Sequence, residues 1–356
     1  MQHGPMLEVN LSAVARNYTL LAGRLGAARC AAVVKADAYG LGAAAVAPAL
    51  YKAGCRIFFV ANAEEGVTLR KILPRAEANI CVFHGLRAGE EKDFTAYGLI
   101  PVLNDGAQLG LWNDRGPYIL HVDTGMRRLG FNPKEAERLA EKGPDLRPMR
   151  LIMSHLACAN EPENPMNREQ RDLFKAAAAR FPGVRASLAN SSGIFLGHDY
   201  AFDLARPGCS LYGISPDTAR PNPMEHVATL SAPVLQYRTL EREESVGYGA
   251  TAMAKAGTVL ATVELGYADG FLRSLSNKAH GFAGGVRVPT LGRVSMDMVC
   301  VDVTAVPEAQ RVPDLRIAFI SPEQPVDALA REAGTIGYEI FTRLGTRVHR
   351  VYGQEA

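Results

Sequence analysis

Short runs of apolar residues, each four to six residues long, alternate with helix-like segments over the first two thirds of the chain. Most of these runs show little alternation of polar and apolar positions, which is typical of parallel strands that are covered on both faces. Eight such strands are predicted, at 31–34, 56–60, 78–83, 99–102, 118–122, 150–154, 184–188 and 201–205. Short crossovers between eight strands favour a (β/α)8 TIM barrel, although the pattern alone leaves a doubly wound sheet open as the alternative.

Two of the segments between these runs carry clear helix signals. The first begins at Asn62, a favourable N-cap residue, and has Glu64 and Glu65 in its first turn, where the helix dipole favours acidic side chains. The second, residues 167–181, repeats its apolar residues on one helical face. We predict a helix in each segment.

The pattern changes after a proline-rich stretch at residues 214–223. The rest of the chain contains strand-like runs separated by frequent glycine and proline turns, with one helical stretch near residues 325–334. We therefore predict two domains, a barrel over residues 1–224 and a mainly β domain over residues 225–356.

The composition is that of an ordinary globular protein, with 356 residues, 47% of them hydrophobic and 21% charged. A formal net charge of +2 gives no bias toward nucleic acid or anionic lipid. The first residues contain no apolar stretch of the kind that a secretory signal needs. Six cysteines without C-x-x-C spacing argue against a disulfide framework or a zinc site. We expect a cytoplasmic enzyme that binds no metal and spans no membrane.

Polar residues stand at or just after the ends of several predicted strands, namely Lys35, Asp123, His155 and Arg206. A lysine or arginine in such a place is usually only a solvated charge, and a lone histidine is more often structural. However, barrel enzymes have their catalytic residues at the carboxyl ends of the strands. Together these residues indicate a candidate active site.

Nine motifs, in order, resemble those of alanine racemases, a family of enzymes that use pyridoxal 5'-phosphate and combine a barrel with a β domain. The motifs are VVKADAYGLG, HVDTGMRRLGF, MSHLACANEPENP, NSSG, ARPGCSLYG, VGYGAT, GYADGF, GRVSMDM and TIGYEI. They extend from about residue 33 to about residue 347 and so include both predicted domains.

The resemblance implies a catalytic role for four residues. Lys35 forms a Schiff base with the cofactor aldehyde and then acts as a base at the substrate α-carbon. Tyr267 is the second base, supplied by the partner subunit of a homodimer on the opposite face. Arg206 faces the pyridine nitrogen in place of the carboxylate found in many other folds, and His155 hydrogen-bonds toward Arg206 and Tyr267.

Binding roles follow from the same resemblance. The cofactor phosphate is held by Tyr39, Ser191, Gly208, Cys209 and Tyr338. The substrate carboxylate is bound by Arg128 and by the backbone of Met296, which the partner subunit supplies.

The chain departs from the family pattern around Arg128. Relatives commonly have glycine or asparagine where this chain has Arg127, a charge of unclear purpose. Many relatives also have a lysine, often carbamylated, at the position of His121, and its negative charge steadies the arginine. Because His121 cannot carry that group in the same way, we hypothesise that this chain binds the substrate carboxylate more weakly than lysine-bearing relatives.

The resemblance implies interconversion of L-alanine and D-alanine, which supplies D-alanine for peptidoglycan. The alternatives are a racemase of the same family that acts on serine, lysine or several amino acids, and a pyridoxal phosphate carrier without turnover. Tyr338 near the reaction centre favours a small substrate. Tyr267 and Met296 argue against the carrier, which lacks a β domain, and Arg206 argues against a decarboxylase of the same two-domain plan.

Overall fold

The computed structural model describes residues 4–113, 115–141 and 148–353. The chain divides into two compact units, one formed by Ala13–Glu225 and the other by Met1–Ser12 together with His226–Ala356. The outer ends of the two predicted domain ranges, residues 1 and 356, lie outside the described residues.

Parallel strands that follow one another in chain order form the first unit, which we call the barrel unit. The first seven are Ala32–Val33, Ile57–Val60, Asn79–Val82, Leu99–Leu103, Tyr118–His121, Met149–Met153 and Arg185–Ser187. The eighth, Leu204–Ala205, pairs with Arg29–Cys30 just ahead of the first strand. On its other side, Asp203 N donates to Ala186 O at 3.0 Å. The ring therefore closes, and the predicted barrel is confirmed rather than the doubly wound sheet.

Helices connect these strands. In chain order they are Leu11–Gly23, Ala43–Lys52, Ala63–Arg70, Glu91–Tyr97, Gly106–Trp112, Pro133–Glu141, Met166–Ala179 and His198–Ala201. The Asn62 side chain accepts a hydrogen bond from Glu65 N at 2.9 Å, as its predicted cap role requires. The helices expected after Asn62 and within 167–181 are both confirmed. None of the described helices has the length and apolar character needed to cross a membrane.

Apolar side chains fill the barrel interior, which is a packed core rather than a pore. Its buried members are Ala31, Val33, Phe59, Cys81, Val102, Ile119, Leu151, Met153 and Leu204. Because all these core residues are apolar, the polar residues of the barrel that can act chemically lie at the strand ends.

Antiparallel strands dominate the second unit, which we call the β unit. Six of them close a sheet in the order Val259–Val263, Val299–Asp302, Val286–Leu291, His280–Ala283, Arg316–Ile320 and Ala228–Thr239, the last pairing back to the first. A separate hairpin joins Glu244–Val246 to Ala252–Ala254. The helical stretch expected near 325–334 is Val326–Ala333, and a further helix, Gly337–Arg343, follows it. The mainly β character that the sequence predicts is confirmed.

The N-terminal strand Met6–Asn10 belongs to the β unit. It pairs antiparallel with Ala228–Thr239 and parallel with His349–Gly353. The predicted range 1–224 assigned this strand to the barrel instead. The pattern of a single strand indicates which face is buried but not which strand will be its neighbour, so no local pattern indicated that Met6–Asn10 belongs to the β unit.

A left-handed turn follows Lys35. Four successive residues without the freedom of glycine, Ala36 to Tyr39, have φ values of 52, 53, 53 and 57°. Each such residue costs about 1–2 kcal/mol, so the surrounding structure must hold the turn in place. Ala36 N donates to Glu65 Oε1 and Ala43 N donates to Asp37 Oδ1, both at 2.7 Å. These carboxylates anchor the turn on each side.

This turn predicts an unusual stability effect at Ala36, whose side chain is exposed. Ala36→Gly should raise the free energy of unfolding by about 1 kcal/mol, because glycine adopts a positive φ without strain. Ala176→Gly, at an exposed position within the right-handed helix Met166–Ala179, should lower it by about 1 kcal/mol. Urea titrations of both variants measure the difference. A loss of stability in both would contradict a left-handed Ala36.

Candidate active site

The barrel brings the predicted strand-end residues to one end of its sheet. Lys35 follows the first strand, His155 follows the sixth, and Arg206 follows the eighth. Because all these strands are parallel, their carboxyl ends lie on the same side of the barrel. Charges at other strand ends shift the pKa values of Lys35 and His155, as expected of neighbouring groups.

Lys35 is half-buried at the end of its strand. Its Nζ lies 5.8 Å from the centre of the Phe83 ring. Burial is the main cause that lowers the pKa of Lys35, the positive charge of Arg128 lowers it further, and Glu65 acts in the opposite direction. A larger fraction of this amine is therefore neutral near pH 7, which is the form that attacks a carbonyl.

Arg206 is a buried cation, with 2% of its surface exposed. Its Nη1 donates to Ser187 Oγ, and its Nη2 donates to the carbonyl oxygens of Ser154 and Leu188. Burial lowers the pKa of Arg206 to about 9, so the guanidinium remains charged at neutral pH. Its Nε has no hydrogen-bond partner among the described residues. Arg206 can thus donate its Nε–H to a ligand.

His155 lies among these cations. Burial is the largest cause that lowers the pKa of His155 well below its usual value, and the positive charges of Arg206, Arg128 and Lys35 lower it further. His155 is therefore a neutral imidazole, able to donate through one ring nitrogen and accept through the other.

A second cluster forms around the eighth strand and the left-handed turn. Ser191 Oγ accepts hydrogen bonds from Gly208 N at 2.9 Å and from Ser210 N at 3.3 Å. A Cβ on Gly208 would overlap the Tyr39 hydroxyl, so only glycine permits this approach. Cys209 begins the short 3-10 helix that follows Gly208. Tyr39, Ser191, Gly208 and Cys209 therefore form one cradle of hydroxyl and backbone N–H groups.

The Tyr39 ring packs against the ring of another tyrosine, Tyr212. Its centre lies 4.9 Å from the centre of the Tyr212 ring. The Tyr212 hydroxyl donates to Val33 O at 2.8 Å, on the strand that leads to Lys35. The position of the Tyr39 hydroxyl is thus tied to the same strand as the lysine.

The hydrogen bonds around His121 determine its tautomer. Asn104 Nδ2 donates to the carbonyl oxygens of Phe83, at 3.0 Å, and Val102, at 2.9 Å. The amide oxygen Oδ1 therefore faces His121 Nδ1, at 2.7 Å. Because Oδ1 can only accept, Nδ1 carries the proton and Nε2 presents a lone pair.

His121 is also uncharged. Burial is the largest cause that lowers its pKa to about 4, Arg206 and Arg128 lower it as well, and Asp123 acts in the opposite direction. A neutral acceptor therefore occupies the position where many relatives have a negative group. The hypothesis of weaker carboxylate binding through Arg128 stays a prediction.

Three of the sequence-predicted residues belong to the β unit. Tyr267 begins the 3-10 helix Tyr267–Asp269, and 43% of its surface is exposed. Met296 is 54% exposed in an adjacent turn, and its carbonyl oxygen accepts from Ala268 N at 2.9 Å. Tyr338 lies in the helix Gly337–Arg343.

Sequence reasoning missed several residues that hold the site. Ser187 and Asn104 stand at, or one position after, the carboxyl ends of the seventh and fourth strands. The strand-end rule that identified Lys35 could have found both. Glu65 and Tyr212 had no such signal, because their roles depend on the left-handed turn.

The state of His121 predicts how stability depends on pH. His121 has a pKa of about 4 in the folded state and an ordinary value of 6.5. Its contribution to stability is therefore complete above about pH 6.5 and is lost as the pH falls through about 4.

Between these limits the free energy of unfolding should fall by up to about 3 kcal/mol more in the natural protein than in His121→Asn. Urea titrations at a series of pH values measure this difference. His155 contributes equally to both proteins, so equal slopes would contradict a buried, neutral His121.

The chain matches two family models. Residues 9–216 match the model described as alanine racemase, N-terminal domain, and residues 227–352 match the one described as alanine racemase, C-terminal domain. An alanine racemase of Rhodospirillum rubrum is 51% identical over 361 residues, covering 98% of this chain and 96% of that protein. A catabolic alanine racemase of Mesorhizobium japonicum is 48% identical over 359 residues, covering 98% and 93%.

Solved structures give the same result. The alanine racemase of Bartonella henselae, with covalently bound pyridoxal phosphate, superposes with a TM-score of 0.93 at 38% identity, covering 98% of this chain and 99% of that one. The biosynthetic alanine racemase of Pseudomonas aeruginosa superposes with a TM-score of 0.91 at 33% identity, covering 99% of each chain. The similarity thus extends over both units.

Proposed function

Because this chain belongs to the alanine racemase family and is a racemase, we propose that it interconverts L-alanine and D-alanine with pyridoxal phosphate as its cofactor. One observation carries the proposal beyond the similarity. A lysine of lowered pKa, a charged arginine with an open N–H and a cradle of hydroxyl and backbone groups occur together at one end of the barrel.

The residues of the barrel unit fit this cofactor. Pyridoxal phosphate is a flat ring that carries an aldehyde, a ring nitrogen and a phosphate. Lys35 suits the aldehyde, and the unpartnered Nε of Arg206 suits the ring nitrogen. The cradle of Tyr39, Ser191, Gly208 and Cys209 suits the phosphate, with Tyr338 as the proposed further contact.

When bound, pyridoxal phosphate withdraws electrons from the substrate α-carbon and so makes its proton acidic. Lys35 then exchanges a proton with the α-carbon from one face, because its lowered pKa favours the neutral amine. Arg206 keeps its own proton at neutral pH and donates a hydrogen bond without protonating the ring nitrogen. This weakens electron withdrawal into the ring and limits side reactions such as transamination.

The second face of the α-carbon requires a second group, and we propose Tyr267 of a partner subunit. The exposure of Tyr267 and of Met296 in the single chain supports a role across an interface. His155 is the proposed partner that tunes the tyrosine, since its neutral ring can accept a hydrogen bond at one nitrogen. The functional unit proposed here is a homodimer with two composite sites.

Arg128 is the proposed partner of the substrate carboxylate, together with the backbone of Met296. We propose that Tyr338 narrows the substrate pocket, which would favour alanine over amino acids with larger side chains. A racemase that acts on serine, lysine or several amino acids remains the alternative for substrate breadth. A carrier without turnover is disfavoured because the chain matches both racemase domains.

We further propose that the enzyme acts in the cytoplasm and supplies D-alanine for peptidoglycan. The six cysteines are free thiols, as a reducing compartment allows. The similarity to the relative described as catabolic favours one other role, the degradation of alanine.

The cofactor proposal predicts a specific covalent attachment. The purified protein should absorb near about 420 nm, and borohydride followed by peptide mapping should leave the cofactor mass on the peptide that contains Lys35. Lys35→Ala should lose both signals, whereas Lys52→Ala, at the exposed end of the helix Ala43–Lys52, should keep them. An unmodified Lys35 in the natural protein would overturn the proposal.

The homodimer proposal predicts complementation between two inactive variants. Lys35→Ala and Tyr267→Phe should each lose nearly all racemase activity. Random re-pairing gives half hybrid dimers with one intact site each, so the mixture should recover about a quarter of the natural activity. Subunit exchange is verified by mass spectrometry of tagged chains. Exchange without recovery would show that each chain completes its own site.

A further inference from the structure

We infer that Arg347 is a positioning residue for the second base: it joins the turn that carries Tyr267 to the turn that carries Met296. Neither the sequence motifs nor the resemblance assigned a role to Arg347. The inference rests on the proposed function, in which Tyr267 exchanges a proton with the α-carbon.

Arg347 bridges two carboxylates that are far apart in the chain. Its Nε donates to Asp269 Oδ1 at 2.7 Å, and its Nη1 donates to Asp297 Oδ1 at 2.8 Å. Asp269 is the last residue of the 3-10 helix that Tyr267 begins, and Asp297 directly follows Met296. The guanidinium fork therefore fixes the separation of the two turns.

Asp269 transmits this constraint to the backbone of the Tyr267 turn. Only 1% of its surface is exposed. Its second oxygen, Oδ2, accepts a hydrogen bond from Gly266 N at 2.8 Å, and its backbone oxygen accepts from Gly345 N at 3.0 Å. Asp269 thus ties the residue before Tyr267 to the end of the same 3-10 helix through its carboxylate, and ties that helix to Gly345 through its backbone.

The two turns are also in direct backbone contact. Tyr267 N donates to Ser295 O at 3.1 Å, and Ala268 N donates to Met296 O at 2.9 Å. A Cβ on Gly266 would overlap the Met296 carbonyl group. With so little free space, a rotation of one turn must displace the other, and both Tyr267 and Met296 would move.

The two arms of Arg347 differ in what they contribute. The Asp269 arm neutralises a buried carboxylate, and its loss would leave that charge unpaired and destabilise the β unit. The Asp297 arm joins two half-exposed side chains, and such pairs contribute little to stability. Its contribution is therefore to orientation, so Asp297→Asn should perturb the turns while the fold is kept.

The experiment uses α-deuterated L-alanine and α-deuterated D-alanine on the holoenzyme. The enantiomers have equal free energy, so a variant must lower kcat/KM equally in both directions. The deuterium effect on kcat/KM, however, reports which group removes the proton. Tyr267 removes it from one enantiomer only and Lys35 from the other.

For Asp297→Asn and Arg347→Lys we expect kcat/KM to fall by about tenfold. The deuterium effect should rise with the enantiomer whose α-hydrogen Tyr267 removes. It should fall with the other enantiomer, because the step at Lys35 then limits the rate less. Arg343→Lys is the matched control, because it alters a surface pair with Glu339 in the same unit and should change neither quantity. Thermal unfolding and cofactor absorbance confirm that each variant is folded and loaded.

A deuterium effect that stays unchanged, or that rises equally with both enantiomers, would overturn the positioning role. If Arg347→Lys fails to fold, Asp297→Asn alone decides between these outcomes. Retention of racemase activity by Tyr267→Phe would instead refute the proposed function, so the two failures are distinguishable.

Discussion

The buried charge of Arg206 is the interaction on which the rest of the candidate site depends. A guanidinium with 2% exposure must find several acceptors, and Arg206 obtains them from Ser187, Ser154 and Leu188. These residues end or follow the sixth and seventh strands, so the arginine can be accommodated only when the barrel has closed. Closure of the sheet and assembly of the site are therefore one event.

The same charge determines the state of its neighbours. Arg206 lowers the pKa of His155 and of His121, in each case second only to burial. Both imidazoles are consequently neutral, and each can accept a hydrogen bond where a protonated ring could not. In His121 the hydrogen bond that Nδ1 donates to Asn104 Oδ1 completes the effect by leaving Nε2 as the acceptor. The buried Arg206 thus helps to keep both His121 and His155 neutral and able to accept a hydrogen bond.

The sequence predicted the barrel well, because its strands are buried on both faces and appear as apolar runs without alternation. Lys35, His155 and Arg206 were identifiable because each directly follows such a run. Other features depend on partners far away in the chain. Asn104 lies 17 positions from His121, and Arg347 lies 78 positions from Asp269. Nothing in a local pattern specifies such pairs, nor does it specify that Met6–Asn10 pairs within the β unit.

The left-handed turn after Lys35 was equally beyond prediction, because alanine, aspartate and tyrosine do not favour a positive φ. Its function follows from the charges around it. The positive charge of Arg128 lowers the pKa of Lys35 and opposes the approach of the two side chains. The strained backbone holds Lys35 against this repulsion, with Glu65 anchoring the turn. The strain of the turn is therefore what it costs to place a lysine of lowered pKa at the end of its strand.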